Sequence, residues 1–378
     1  MTKLGKIIVG LVVLVVIIVV GVSFVTKGST SRQDVGGTQE LIKIGANFAL
    51  SSFGASWGEP SKQGAELAAF QINQNGGVLG RQVVVVTEDN YSEAKGSVSA
   101  VNKLISIDKV NFLLTGWTDQ TEPVIPIITQ NKILTVTVSA GAADFTKKSE
   151  YLYRTWPSDA IAVKELVAYA KSKNFKKVAL VQSIGPWENS LIEVFTSLAK
   201  EQGIKVVSPV SFPIDTQDFK THVSKIKQSK PDAVFAAITS GPIERFLQQS
   251  GELKIGTPIL YPVDVAALGA TAKVSVPYLK NLIYAIYTPS RQVFVDAFKA
   301  KYGTEPGPGA DTAYDAVYMI ARAVEKAGTT DVEKVKTAFT PFDGASGTIT
   351  FNEFRDRSDA QVILMGFDGA TSTPMKIK

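Results

Sequence analysis

Bond-making chemistry finds few candidates in this sequence. Its 378 residues hold one histidine, His222, and no cysteine. The lone imidazole falls beside Val223 and Ile226 on a stretch patterned as a helix, where a packed or solvent-facing histidine is a better reading than a general base. Without cysteine there are no disulfides, thiolate metal sites or cysteine nucleophiles. The chain has no H-E-x-x-H pair and no P-loop. The run Gly76-Gly77-Val78-Leu79-Gly80-Arg81 reads as a turn and lacks the lysine that a phosphate-binding loop requires. Glu88 and Asp89 are adjacent acids, but on a strand they point to opposite faces and suit a strand end. No enzymatic activity, metal or cofactor is expected.

Capture of a small solute without reaction fits better. It calls for hydroxyls and backbone N–H groups to hold polar ends, and for apolar or aromatic walls. Three of the four tryptophans fall in loops that follow apolar, strand-like runs. Trp57 lies in a long Ser- and Gly-rich stretch, Trp117 in Thr115-Gly116-Trp117-Thr118-Asp119-Gln120-Thr121, and Trp187 in Gly185-Pro186-Trp187-Glu188.

Those loops need a frame, and residues 42–81 supply its first unit. Leu41-Ile42-Lys43-Ile44-Gly45 alternates about Lys43 as a strand does. The loop with Phe53 and Trp57 follows, and Pro60 stands where a helix can begin. Ala65, Leu67, Ala68, Ala69, Phe70 and Ile72 give that helix an apolar face, which Asn75-Gly76-Gly77 terminates. Residues 83–86 form the next strand. The same alternation continues: helix 92–105, strand 110–114, strand 133–138, helix 160–173, strand 177–182, helix 189–202, strand 205–211 and onward. Strands alternating with helices predict an α/β protein with parallel sheets covered on both faces. In such sheets, loops at the carboxyl ends of strands face the ligand crevice.

The composition, 45% hydrophobic and 20% charged, is that of a globular protein of about two domains. The net charge of +5 is spread along the chain. Lys171, Lys173, Lys176 and Lys177 mark a solvated helix end without the aromatic or Arg-rich platform of a nucleic-acid surface, so no nucleic-acid partner is expected. Residues 7–25 are almost continuously apolar. At about 1.5 Å per helical residue they could nearly cross a hydrocarbon core of about 30 Å. Lys3 and Lys6 precede this run, while Lys27 and Arg32 follow it. Residues 1–27 are read as an uncleaved signal anchor, a transmembrane helix in the cytoplasmic membrane, in preference to a cleaved signal peptide. The body is then extracytoplasmic, and the polar residues 28–40 form a flexible linker.

Several motifs together carry a family resemblance. Ser51-Ser52-Phe53-Gly54-Ala55-Ser56-Trp57-Gly58, Gly64-Ala65-Glu66-Leu67-Ala68, the I-N-Q-N-G-G-V-L-G-R turn at 72–81 and Glu88-Asp89 resemble the opening of the type I periplasmic substrate-binding proteins of ABC importers. These serve branched-chain amino acids and related solutes, as in the Leu/Ile/Val-binding proteins. Tyr151-Leu152-Tyr153-Arg154-Thr155-Trp156-Pro157-Ser158-Asp159, Pro231-Asp232-Ala233-Val234-Phe235, Ala310-Asp311-Thr312-Ala313-Tyr314-Asp315-Ala316-Val317 and the segment 342–351 extend the likeness to about residue 370. The resemblance implies two Rossmann-like lobes joined by a three-crossing hinge. Lobe I would comprise 41–157 and 288–359, and lobe II 158–287 and 360–378.

By the same resemblance, a small polar solute (an amino acid, an amide or a related compound) binds between the lobes and is delivered to an ABC permease and its ATPase. The other reading is a ligand-sensing receptor of the same fold that signals to a partner protein. Trp57 and Trp187 would wall the solute, with Trp117 beside them. Asp119, Gln120 and Thr121 replace the usual serine pair that holds a carboxylate. Ser139, Ala140 and Gly141 keep the next strand end, with Gly141 in place of a threonine. Thr239 and Ser240 stand where an aromatic is common, and Asp264 lies close to the acid that takes an ammonium group. An acid at 119 and a missing hydroxyl at 141 argue against a plain α-amino acid, and leave neutral, cationic and amide-bearing ligands open. Tyr153, Arg154, Tyr314 and Asp315 are assigned to hinge and helix packing, and Tyr261, Tyr284 and Tyr287 to cleft or hinge lining.

Overall fold

The computed structural model describes residues 40–264, 281–368 and 371–375. The expected membrane anchor, 1–27, and all of the linker except Glu40 lie outside the described residues. Among those described, no helix is long and apolar enough to cross a membrane.

Two sheets organise the body, the first wholly parallel and the second parallel with an antiparallel edge. The first contains β1 (Ile42–Phe48), β2 (Val83–Asp89), β3 (Phe112–Thr115), β4 (Thr135–Thr137) and β5 (Leu152–Arg154), in the order β2-β1-β3-β4-β5. Every neighbouring pair is parallel. Helices Ala55–Gln74 and Ala310–Ala327 pack together on one face through Ala65, Ala68, Ala69, Ile72, Ala313, Val317 and Ile320. Gly64 permits that contact, because a Cβ there would overlap the backbone carbonyl of Ala310. Val101 and Leu104 of helix Ala94–Ser106 belong to a separate cluster with Val110, Leu113 and Ile128.

The second sheet is built from β6 (Lys177–Ser183), β7 (Lys205–Phe212), β8 (Ala233–Ala237), β9 (Ile259–Tyr261) and β10 (Leu282–Tyr287), hydrogen-bonded as β7-β6-β8-β9-β10. Strands β13 (Val362–Phe367) and β14 (Ser372–Pro374) extend it in antiparallel fashion. Its apolar core gathers Val178–Val181, Ala233–Ala237 and the inner faces of helices Ala160–Ser172, Pro186–Glu201, Lys220–Gln228 and Pro242–Glu252. A small hairpin, β11 (Phe342–Gly344) and β12 (Gly347–Ile349), stands apart from both sheets.

The five parallel strands of each sheet are wound in the same sense. The first strand lies next to the second on one side and to the third on the other, so the order reverses beside it. Such a switch point opens a crevice at the carboxyl ends of the strands. The chain passes between the sheets at 155–159, 288–291 and 350–361.

Two helices begin earlier than the sequence suggests. The first starts at Ala55 rather than near Pro60, which lies inside it. Proline removes only the bond to the Ser56 carbonyl, and the Ser61 hydroxyl donates to the next one, Trp57 O, at 2.8 Å. The helix after β6 starts at Pro186 rather than Asn189. Trp57 and Trp187 therefore both stand in first helical turns rather than in loops.

Candidate functional site

A cavity of about 50 Å³ lies where the carboxyl ends of the two sheets meet. The segments that follow β1, β3 and β4 bring Trp57, Trp117, Thr118, Asp119 and Ser139, and those that follow β6, β8 and β9 bring Trp187, Thr239, Ser240 and Val263, with Tyr261 ending β9. The first crossing adds Trp156 and Asp159. All four tryptophans of the chain are thus in one wall. Their planes are steeply inclined: Trp57 meets Trp117 at 71° and Trp156 at 66°, with ring centroids 5.9 and 5.3 Å apart. Edge-to-face contacts of this kind are favourable between aromatic quadrupoles. Here they turn successive rings into differently facing walls.

Asp159 holds this arrangement. Its Oδ1 accepts from Trp156 Nε1 at 3.1 Å and from the Tyr287 hydroxyl at 2.7 Å, and its Oδ2 from Trp187 Nε1 at 2.8 Å. Its backbone N–H donates to Gly141 O at 2.8 Å. Burial pushes the Asp159 pKa up, while the three donors and the Arg154 charge pull it back. A Cβ on Gly141 would overlap Asp159 Oδ2. The missing side chain at 141 is therefore the space that the carboxylate fills.

A second acid pair adjoins the cavity. Asp119, in the short helix Thr118–Thr121, and Glu188, in the first turn of Pro186–Glu201, approach from different sheets. A Cβ on Gly185 would overlap both Asp119 Oδ1 and Glu188 Oε2, so the two carboxylates share one small volume. Glu188 Oε1 accepts from the Ser183 hydroxyl at 2.6 Å, whereas Oε2 is buried with no hydrogen-bond partner. Burial raises the pKa of Asp119, with the Glu122 charge adding to it, and burial raises that of Glu188, with Asp119 adding to it. No lysine, arginine or histidine among the described residues lines the cavity.

Of the sequence candidates, Trp57, Trp117, Asp119, Ser139, Trp187 and Thr239 come together here. Gln120 and Thr121 turn inward instead. Gln120 Oε1 accepts from Asn90 Nδ2 at 3.3 Å, and the Thr121 hydroxyl donates to Gly116 O at 3.1 Å. The Ala140 carbonyl accepts from Arg154 Nη1 at 3.0 Å and that of Gly141 from Asp159 N, so this strand end faces the hinge. At 263–264, Val263 rather than Asp264 reaches the cavity. Sequence reasoning missed Trp156, Asp159 and the partnership of Glu188 with Asp119. The first two sit in the 151–159 motif, which was read only as a crossing.

Other conspicuous residues are elsewhere. Asp89 accepts from Leu50 N at 2.9 Å and Tyr91 N at 2.8 Å, tying the loop after β1, while Glu88 pairs with Lys103. His222 packs edge-on against Phe212, with ring centroids 5.6 Å apart. At the hinge, every guanidinium nitrogen of fully buried Arg154 finds an acceptor. Its Nε donates to Asp356 Oδ1 at 2.6 Å, Nη2 pairs with Asp356 Oδ2, and Nη1 donates to Ala140 O and Ala142 O. Arg357 donates to Thr155 O at 3.0 Å and to Ser346 Oγ at 2.9 Å. Residues of the first and third crossings are thereby locked together.

Two parallel sheets wound alike, with one aromatic cavity between their carboxyl ends, define a two-lobed binding protein. Residues 41–370 match the periplasmic binding protein family, and the chain belongs to it. It is 29% identical to a Leu/Ile/Val-binding protein homolog 3 of Brucella melitensis, over 86% of this chain and 91% of that one. It is 32% identical to the Leu/Ile/Val-binding protein BraC3 of Rhizobium johnstonii, over 83% and 88%. Among solved structures, the branched-chain amino acid transporter substrate-binding protein LivJ of Streptococcus pneumoniae, in complex with isoleucine, superposes with a TM-score of 0.79. That match covers 89% of this chain and all of LivJ at 24% identity, a likeness of fold.

Proposed function

We propose that this chain captures a small polar organic solute between its lobes outside the cytoplasmic membrane and delivers it to an ABC permease and its ATPase. One observation carries the reading: loops from the carboxyl ends of both sheets converge on a single tryptophan-walled cavity. The curated relatives, named for binding leucine, isoleucine and valine, support solute capture. Trp57, Trp117 and Trp187 supply walls, and Asp119, Ser139 and Thr239 polar contacts. Residues 1–27 anchor the body to the membrane. Solute bridging the two lobes shifts the population toward a closed form that a permease can recognise.

A thermal-shift screen of the full chain against amino acids, amides, amines and small carboxylates tests this. A solute that binds only the folded state at about 100 times its Kd adds about 2.7 kcal/mol of stability. At least one compound is expected to raise the melting temperature, and Trp187→Ala to abolish that rise while melting cooperatively. A panel without any hit, on protein that melts cooperatively, would sink the proposal.

A further inference from the structure

We infer that the solute is a small organic cation, an alkylated ammonium without a carboxylate of its own. This rests on the solute-binding reading above and narrows it. Trp57 is inclined to Trp117 by 71° and to Trp156 by 66°, so the indoles that line the cavity lie in different planes. A flat aromatic solute would want two parallel faces, whereas a compact, roughly spherical head group wants a box. Ring faces carry the negative part of the aromatic quadrupole, and a cation within about 6 Å of the centroid is attracted to it, most strongly by tryptophan.

Charge points the same way. Asp119 and Asp159 line the cavity and Glu188 backs it, with no described cation among the lining residues. Asp159 is committed to Trp156, Trp187 and Tyr287. Glu188 Oε2, on a residue only 2% exposed, has no hydrogen-bond partner and faces Asp119. Burying carboxylates without a counter-charge is costly. A solute bringing positive charge removes that cost, whereas one bringing a carboxylate would add to it. The cavity is about 50 Å³ as it stands, so a trimethylammonium group, about as bulky as benzene, enters only as the lobes move apart.

Titration calorimetry on the full chain separates the alternatives. Choline and tetramethylammonium are the probes, with 3,3-dimethylbutan-1-ol as the uncharged carbon isostere of choline, and leucine and benzoate as carboxylate-bearing solutes. Choline or tetramethylammonium is expected to bind at least about tenfold more tightly than the isostere, a factor equal to about 1.4 kcal/mol. Asp119→Asn and Trp117→Leu are each expected to weaken the cation about tenfold, the former without loss of thermal stability. Binding of leucine, benzoate or the isostere in preference to both cations, abolished by Trp187→Ala, would overturn the cation inference and leave solute capture standing. Binding of no probe, together with a silent thermal-shift panel, would overturn both.

Discussion

The hinge and the cavity each bury acids, and they treat them in opposite ways. At the hinge, Asp356 meets Arg154 through two guanidinium nitrogens, and the remaining one is held by two carbonyls. The charges are matched, and every guanidinium nitrogen of Arg154 has an acceptor. At the cavity, Asp119 and Glu188 face each other with a carboxylate oxygen left without a donor. A network complete in itself fixes geometry. One left incomplete in an otherwise packed interior leaves buried acids that a proton or an incoming cationic group relieves. The contrast separates what holds the lobes from what the lobes hold.

The largest effect that sharpens this contrast is at the hinge. Arg154→Met strands Asp356 in a buried site and is expected to cost about 3–5 kcal/mol in denaturant unfolding. A loss below about 1 kcal/mol would mean the crossings are held by packing alone. Next comes Gly141→Ala, whose methyl must displace Asp159 Oδ2. Overpacking of this kind costs about 1–3 kcal/mol. Because Asp159 orients Trp156 and Trp187, solute affinity is expected to fall along with the melting temperature.

The smallest effect concerns pH and has the opposite sign. Burial raises the folded pKa of both Asp119 and Glu188. In the window between ordinary carboxylate values and these raised ones, the folded state keeps protons that the unfolded chain has released. Stability of the empty protein therefore rises as pH falls through that window and declines as pH rises through it. Glu188→Gln is expected to flatten this dependence and to stabilise the empty protein at neutral pH by on the order of 1 kcal/mol. An unchanged pH profile of melting temperature in that variant would refute the mutual repulsion.

The alternation of strands and helices was legible because apolar periodicity is local. Alternation about Lys43 marked β1, and the face from Ala65 to Ile72 marked its helix. The starts of the helices were not legible. Gly and Ser before Trp57 with Pro60 after it, and Gly185-Pro186 before Trp187, read as loop because these residues disfavour helix interiors, yet the start of a helix tolerates them. Six candidate residues, Trp57, Trp117, Asp119, Ser139, Trp187 and Thr239, share the cavity because strand-end loops in a doubly wound sheet must converge. Trp156 and Asp159 escaped because a crossing's contribution depends on where both sheets end up. Glu188 escaped for a similar reason: its partner Asp119 lies in the other sheet's loops, and no pattern within a short window reveals such a neighbour. Gly141 was seen as a lost hydroxyl, and its meaning as room for Asp159 required the fold.

Four indoles, and no others in the chain, surround one small volume. The ultraviolet emission of the whole protein is thus the emission of that volume. Trp57 and Trp117 follow strands of one sheet, Trp187 follows a strand of the other, and Trp156 lies in the first crossing between them. Any swing of one half against the other changes their spacing, and any occupant changes their surroundings. The binding event carries its own optical signal, readable without a label, and the intensity of a dilute solution becomes a direct titration of occupancy.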